Sequence, residues 1–230
     1  AGHLGPAPDA AAVANRATAG TRGRDFGASQ CGPAVATDLA RPVTAADGHY
    51  ALQAGSSLAC APAPSGRTVA GADTLTIRRA GAEPAPAERG RLQLAATRSR
   101  GLLFADGRVP LLGPGTAVHD LEVGVYYVAA DSSAGAGVPA LRRKRLVGGS
   151  DGPRFEDEEL VVGVEELQVE FGVDGPDPDE TPERYVTAAD VAADDTTRTV
   201  RLTLGVAVRG DARPRLLVVR TVYLRNLRRG

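Results

Sequence analysis

From Leu167 onward the chain alternates strictly: Leu167, Val169, Phe171 and Val173 are apolar, while Glu166, Gln168, Glu170 and Gly172 stand between them. Successive side chains of an extended strand point to opposite faces, so this pattern gives a strand with one core face and one wet face, whereas a helix would scatter it. Val200, Leu202, Leu204, Val206 and Val208 alternate in the same way with Arg201, Thr203, Gly205, Ala207 and Arg209. A turn at Gly210 to Pro214 then returns the chain along Leu216 to Leu224, which predicts an antiparallel hairpin.

Upstream the same period recurs. Asp73 to Arg79 and Arg91 to Ala95 alternate, Gly101 to Ala105 is followed by Asp106-Gly107, a dipeptide typical of tight hairpin turns, and Val118 to Ala129 puts Leu121, Val123, Val125 and Tyr127 on one face. Leu141 to Val147 is expected to pair with that long strand. Glu158 to Glu165 reads as extended chain leading into the Leu167 strand. An acidic, proline-rich loop at Asp174 to Pro182 and a helical turn within Thr187 to Ala193 separate the two best-patterned stretches. Residues 1–70 show weak apolar periodicity and frequent Pro and Gly; Pro8 to Ala19, with Asp9 as N-cap, reads as a short helix. The expectation is one mainly β unit spanning 1–230, irregular over 1–70 and an antiparallel sheet over 71–230.

With 43% hydrophobic residues in 230, the chain can bury a core, and 27 basic against 28 acidic residues leave no global field for nucleic acid or an anionic membrane. No run of about 18 apolar residues exists to span a bilayer. The chain holds no methionine, so Ala1 reads as a processed or engineered start with a segment missing upstream. Cys31 and Cys60 lack a CxxC spacing or a histidine neighbour; they read as one disulfide in an oxidising compartment, with two separate buried thiols as the alternative.

Four segments then resemble one family in the right order. Gly71 to Arg78 is similar to the "GSDVLTVRY" strand of PilW-type minor pilins of type IV pili, Val125-Tyr-Tyr-Val-Ala129 to their "YYVA" strand, Glu159 to Asp174 to their "ELVEGVEDLQVRYGVD" segment, and Tyr223-Leu-Arg-Asn226 to their "LRN" end. The opening Ala1-Gly-His-Leu-Gly5 also resembles the "AGYxG" after the family's long N-terminal helix, although Pro6 stands where the family often has Cys, so no disulfide pairing carries over.

The resemblance implies an α+β pilin-like head whose antiparallel sheet packs on an N-terminal helix removed from this chain. It implies a non-catalytic subunit without a cofactor, held at the periplasmic face of the inner membrane of a Gram-negative bacterium only through that helix. Such subunits assemble with other minor pilins, and with a tip adhesin, into the complex that primes pilus assembly for twitching, adhesion or DNA uptake. Loss of the helix is expected to expose an apolar patch of Leu167, Val169, Phe171, Leu202, Leu204 and Leu217. The alternatives are a J-type pseudopilin of type II secretion and a secreted cell-surface-binding module; aromatics at 4% argue against the latter.

Several constellations invite chemistry. Gly148-Gly-Ser-Asp-Gly152 has the G-x-S-x-G form, but Pro153 and an acidic run follow it, and His3, His49 and His119 all precede it, so it reads as a turn. Asp174, Asp177, Asp179 and Glu180 are a calcium candidate, although Pro176 and Pro178 stiffen the loop and no EF-hand glycine is present. Arg142, Arg143, Lys144 and Arg145 are the densest positive charge and a candidate partner-binding strand; strand geometry puts two on each face, and no aromatic interleaving supports nucleic-acid binding. Arg209-Gly-Asp211 reads as the hairpin turn. Of Tyr126 and Tyr127, one is expected in the core and the other outward.

Overall fold

The computed structural model describes residues 13–15, 31, 35–39, 41–53, 60–174, 182–191, 196–207 and 215–223. The strands among them run β1 (Val13–Asn15), β2 (Val43–Ala46), β3 (Thr74–Ala80), β4 (Arg89–Ala96), β5 (Gly101–Asp106), β6 (Ala117–Ala129), β7 (Ala140–Val147), β8 (Arg154–Val162), β9 (Val164–Asp174), β10 (Arg184–Val186), β11 (Thr196–Ala207) and β12 (Arg215–Tyr223). Among the described residues the helical element is the single 3-10 turn Ala188–Asp190, which falls inside the turn expected there.

β6 is the spine of an eight-stranded sheet. At thirteen residues it is long enough to hold β4 along 117–120 and β7 along 124–129 on one edge, with β3 along 121–126 on the other. The amides of Gly81 and Ala85 donate to the Asp120 and Val118 carbonyls, which continues the β3 edge past the end of that strand. Beyond β4 lie β5 and then β1, beyond β3 lies β2, and beyond β7 lies β8; all pairs are antiparallel except β1 with β5. A second, four-stranded sheet has the order β10-β9-β11-β12 and is antiparallel throughout.

Three layers result, with core on both faces of the large sheet. On one face Leu92, Leu94, Leu103, Leu121, Val123, Val125 and Phe155 pack beneath Leu52 and the Cys31–Cys60 pair. On the other, Leu75 and Val128 meet Val164, Leu167, Val169, Phe171, Val173 and Val200 of the small sheet. Each fully buried Leu, Val or Phe contributes roughly 1.5–3 kcal/mol.

Gly163 alone separates β8 from β9, yet the two strands belong to different sheets. Its φ of 87° lies in the left-handed region that favours glycine, and its amide donates to the Pro139 carbonyl at 2.7 Å, so the chain turns a corner from one sheet to the other within one residue. The expected continuous run from Glu158 into Leu167 is therefore broken there. Asp106-Gly107 ends β5, with Asp106 Oδ1 accepting from the Arg108 amide, but closes no hairpin: β5 pairs with β4, and their connection runs through Thr97 to Arg100.

The described part of the expected Pro8 to Ala19 helix is a strand, β1, on the edge of β5. An isolated alanine-rich segment of a dozen residues is marginal as a helix, and an open strand edge offers its backbone ready partners. Val43–Ala46 is likewise ordered, by pairing with β3. The expected apolar patch is corrected as well. Leu167, Val169 and Phe171 are buried against the large sheet, Leu202 and Leu204 are half-buried, and of that set Leu217 is exposed.

Candidate assembly surface

β7 and β8 form a hairpin around Gly148–Gly152, and their register sets a run of four cations against a run of four carboxylates: Arg142 opposite Glu159, Arg143 opposite Glu158, Lys144 opposite Asp157 and Arg145 opposite Glu156. Alternation divides the eight charges into two ladders. Arg143 and Arg145 reach Glu158 at 2.5 and 2.7 Å on one face, where Glu156 also accepts from Arg154. The Arg143 and Arg145 guanidiniums hold the Glu158 carboxyl below the usual carboxylate range. Exposed pairs of this kind contribute about 0–1 kcal/mol each.

The other face is enclosed. Asp157 Oδ1 accepts from Arg142 Nε at 2.6 Å, and its Oδ2 accepts from both Lys144 Nζ at 2.8 Å and the Tyr127 hydroxyl at 2.6 Å. Lys144, the sole lysine of the chain, is 1% exposed. Arg142 also donates to Glu159, whose carboxylate is held low chiefly by the Ser133 hydroxyl and amide. The Tyr127 oxygen accepts from the Ala63 amide at 2.9 Å, Tyr50 packs edge-on against the Tyr127 ring at 4.9 Å, and Tyr50 donates to the Cys60 carbonyl at 2.7 Å. Burial pushes both phenols well above their ordinary range. Asp157 thereby joins the disulfide-bearing layer to the hairpin.

Two further polar side chains fix the layers. Asp73 accepts from the Gly48 amide on Oδ1 and from the Val169 amide on Oδ2, both at 2.7 Å, linking the large sheet to β9; burial raises its pKa. Arg78 is buried without a carboxylate bond and donates to the carbonyls of Val35 and Arg41 and to the Thr44 hydroxyl, so it holds the segment before β2; burial lowers its pKa. Both lie in the Gly71 to Arg78 motif: Asp73 shares the face of Leu75 and Ile77, where alternation places apolar side chains, and Arg78 lies with Thr74 and Thr76 on the face that alternation assigns to water, so neither burial follows from residue type and period together.

The remaining expected sites divide as follows. Cys31 and Cys60 are bonded to each other. Asp174 ends β9 and is fully buried, whereas Asp177, Asp179 and Glu180 lie outside the described residues, as do His3, Arg209, Gly210 and Asp211. Among the described residues no group of three His, Cys, Asp or Glu side chains gathers to hold a metal. Ser150 is exposed at the tip of the β7–β8 turn, where Gly152 donates to the Gly149 carbonyl. His49 Nδ1 lies against the Asp47 carbonyl and His119 Nδ1 against the Gly81 carbonyl, at separate places in the fold. Tyr127 is core, and Tyr126 is half-buried against the small sheet's cluster rather than projecting outward.

With the charges of β7 and β8 paired among themselves, the apolar surface stands out. Leu216, Leu217, Val219, Val222 and Tyr223 of β12 are each 48–61% exposed, and Leu160, Val161 and Val162 end β8, which among the described residues pairs only with β7. Open strand edges with apolar side chains are surfaces on which another chain adds. No curated protein and no solved structure matches this chain. Residues 125–225, from the middle of β6 through β12, match the family model described as Type IV Pilus-assembly protein W, and over that stretch the chain is similar to PilW-type pilus proteins.

Proposed function

We propose that residues 1–230 are the head of a non-catalytic minor pilin that assembles with other minor pilins into the complex priming type IV pilus assembly and occupying the pilus tip. The family match over 125–225 carries this reading. The geometry of that stretch supports it: polar groups that a catalyst would present to a substrate are bonded into the hairpin and between the layers, while strand edges of both sheets are left for protein contacts. The Cys31–Cys60 bond suits an oxidising, periplasmic compartment. No helix among the described residues is long and apolar enough to cross a membrane, and the reading assigns membrane attachment to a helix upstream of Ala1.

Mass spectrometry of the endogenous protein, from cells and from sheared surface fibres, tests this. Peptides of the chain in the fibres, together with an N-methylated residue opening a hydrophobic helix ahead of Ala1, are expected. A mature protein that begins near Ala1 and is found only free in the medium overturns the reading.

A further inference from the structure

β12 closes the small sheet with an undefended edge. Among the described residues it pairs only with β11, over all nine of its positions, and its outer edge has no strand beside it. Natural edge strands are kept from pairing by proline, bulges, short length or frequent charge. Arg215-Leu-Leu-Val-Val-Arg-Thr-Val-Tyr223 has no proline, a continuous register against β11 and only two charged positions. Leu216, Val218 and Val222 share the core face with Val206, Leu204 and Val200, yet Leu216 and Val222 stand half open, so the apolar face of the sheet continues past the layer that covers it. Leu217, Val219 and Tyr223 are exposed on the opposite face. An occupant must therefore add a strand and supply apolar side chains to both faces at once.

The strand itself has that composition when reversed. In an antiparallel pair about a two-fold axis at Val219, Leu216 falls opposite Val222, Leu217 opposite Thr221, Val218 opposite Arg220, and Val219 opposite its own copy. Arg220 then stands directly opposite an apolar neighbour, with its own copy only diagonal to it, whereas an axis at Arg220 would set two guanidiniums directly face to face. We propose that β12 is a self-association edge, pairing antiparallel with β12 of a second copy about Val219 and fusing two four-stranded sheets into one of eight. This isologous contact closes as a dimer, while pairing of β12 with a different edge strand such as β8 would propagate without closing. The inference stands on the edge itself and does not depend on the pilus reading.

The test is light scattering on the size-separated 23.6 kDa chain over a dilution series, joined to cysteine pairing. A mass of twice the chain, falling to one chain on dilution, is expected, and Val219→Lys, at an exposed position, should give the single-chain mass at every concentration with an unchanged circular dichroism spectrum. Val219→Cys should cross-link to itself on mild oxidation, since directly opposite residues bring their Cβ atoms within about 5 Å. Leu216→Cys and Val222→Cys should cross-link only when mixed, because each lies roughly 20 Å from its own copy in this register. A chain that stays single at all concentrations overturns the proposal and leaves the edge to a strand of a different protein. Open-ended masses, or self-cross-linking of Leu216→Cys or Val222→Cys alone, overturn it in favour of another register or the β8 edge.

Discussion

Lys144 and Asp157 lie directly opposite each other on β7 and β8, 2.8 Å apart, with the ammonium almost wholly removed from water. An ammonium at such depth is tolerated only because the carboxylate beside it is itself held on three sides, by Arg142, Tyr127 and Lys144. Through Tyr127 and the Ala63 amide, the same carboxylate reaches the layer closed by the disulfide. A pair that reads in isolation as surface charge is thus a joint between layers.

Asp157→Asn should cost about 3–5 kcal/mol, because it leaves the Lys144 ammonium buried without a counter-charge. Lys144→Met should cost less, since Asp157 keeps Arg142 and Tyr127. The double variant should recover part of the Asp157→Asn loss. Urea unfolding of the three variants checks this, and a double variant whose loss equals the sum of the two singles would show that the groups are uncoupled.

Removing the Cys31–Cys60 bond opens a 29-residue separation, which in the chain-entropy picture corresponds to about 3–4 kcal/mol. Thermal unfolding with and without reductant should show a lowered midpoint for the reduced chain. The Cys31→Ala, Cys60→Ala double variant should melt with the reduced protein. Equal midpoints for oxidised and reduced chain would mean that the Tyr50 and Tyr127 contacts hold the segment unaided.

Two of the five tyrosines, Tyr50 and Tyr127, are pushed above the ordinary phenol value of 10.0 by burial, so the unfolded chain loses its phenolic protons at lower pH than the folded one. The stability that comes from keeping them neutral is complete below pH 10.0 and falls as pH rises beyond it. Alkaline titration followed at the phenolate absorbance should show these two ionising only as the fold opens. All five ionising together with the near-ultraviolet dichroism intact would refute it.

Asp131 behaves in the opposite sense. The Ser65 hydroxyl, the Gly137 amide and Arg67 all donate to its carboxylate and lower its pKa from 3.8 to about 2. Its contribution is present above pH 3.8 and is lost as pH falls toward 2. Asp131→Asn should therefore flatten the acid limb of stability against pH across that window while leaving the alkaline limb unchanged. An acid limb identical to that of the parent would remove Asp131 from the account.

Alternation made β6, β9, β11 and β12 legible, because a strand with one buried face writes its period into the residues: Leu121, Val123, Val125 and Tyr127 lie on one face of β6, as their spacing requires. The partnership of β7 with β8 was also written, in the mirror spacing of Arg142–Arg145 and Glu156–Glu159 about the Gly148–Gly152 turn, but the basic run viewed alone suggested a surface for others. What period two cannot carry is the corner at Gly163, where a single positive φ moves the chain between sheets while the run stays apolar. Nor can it carry Arg78, whose bonds reach back 34 to 43 residues to backbone and hydroxyl oxygens. Such contacts depend on which layers meet, and alternation specifies faces but not neighbours.

Asp73 is the position where loss of one oxygen's acceptor character should separate the sheets locally. Its two oxygens each accept a different backbone amide, Gly48 on one side and Val169 on the other, while its own amide donates to the Leu167 carbonyl at 2.9 Å. Asparagine keeps the shape but accepts on one oxygen only, so its NH2 group must face one of those N–H donors. A buried amide left without its acceptor costs about 1–3 kcal/mol. Asp73→Asn should accordingly unfold at lower urea and, under native conditions, speed hydrogen exchange at Val169 or Gly48 more than at Val123 in the middle of β6. Uniform acceleration at all three amides would mean that Asp73 contributes to global stability without acting as the joint between the large sheet and β9.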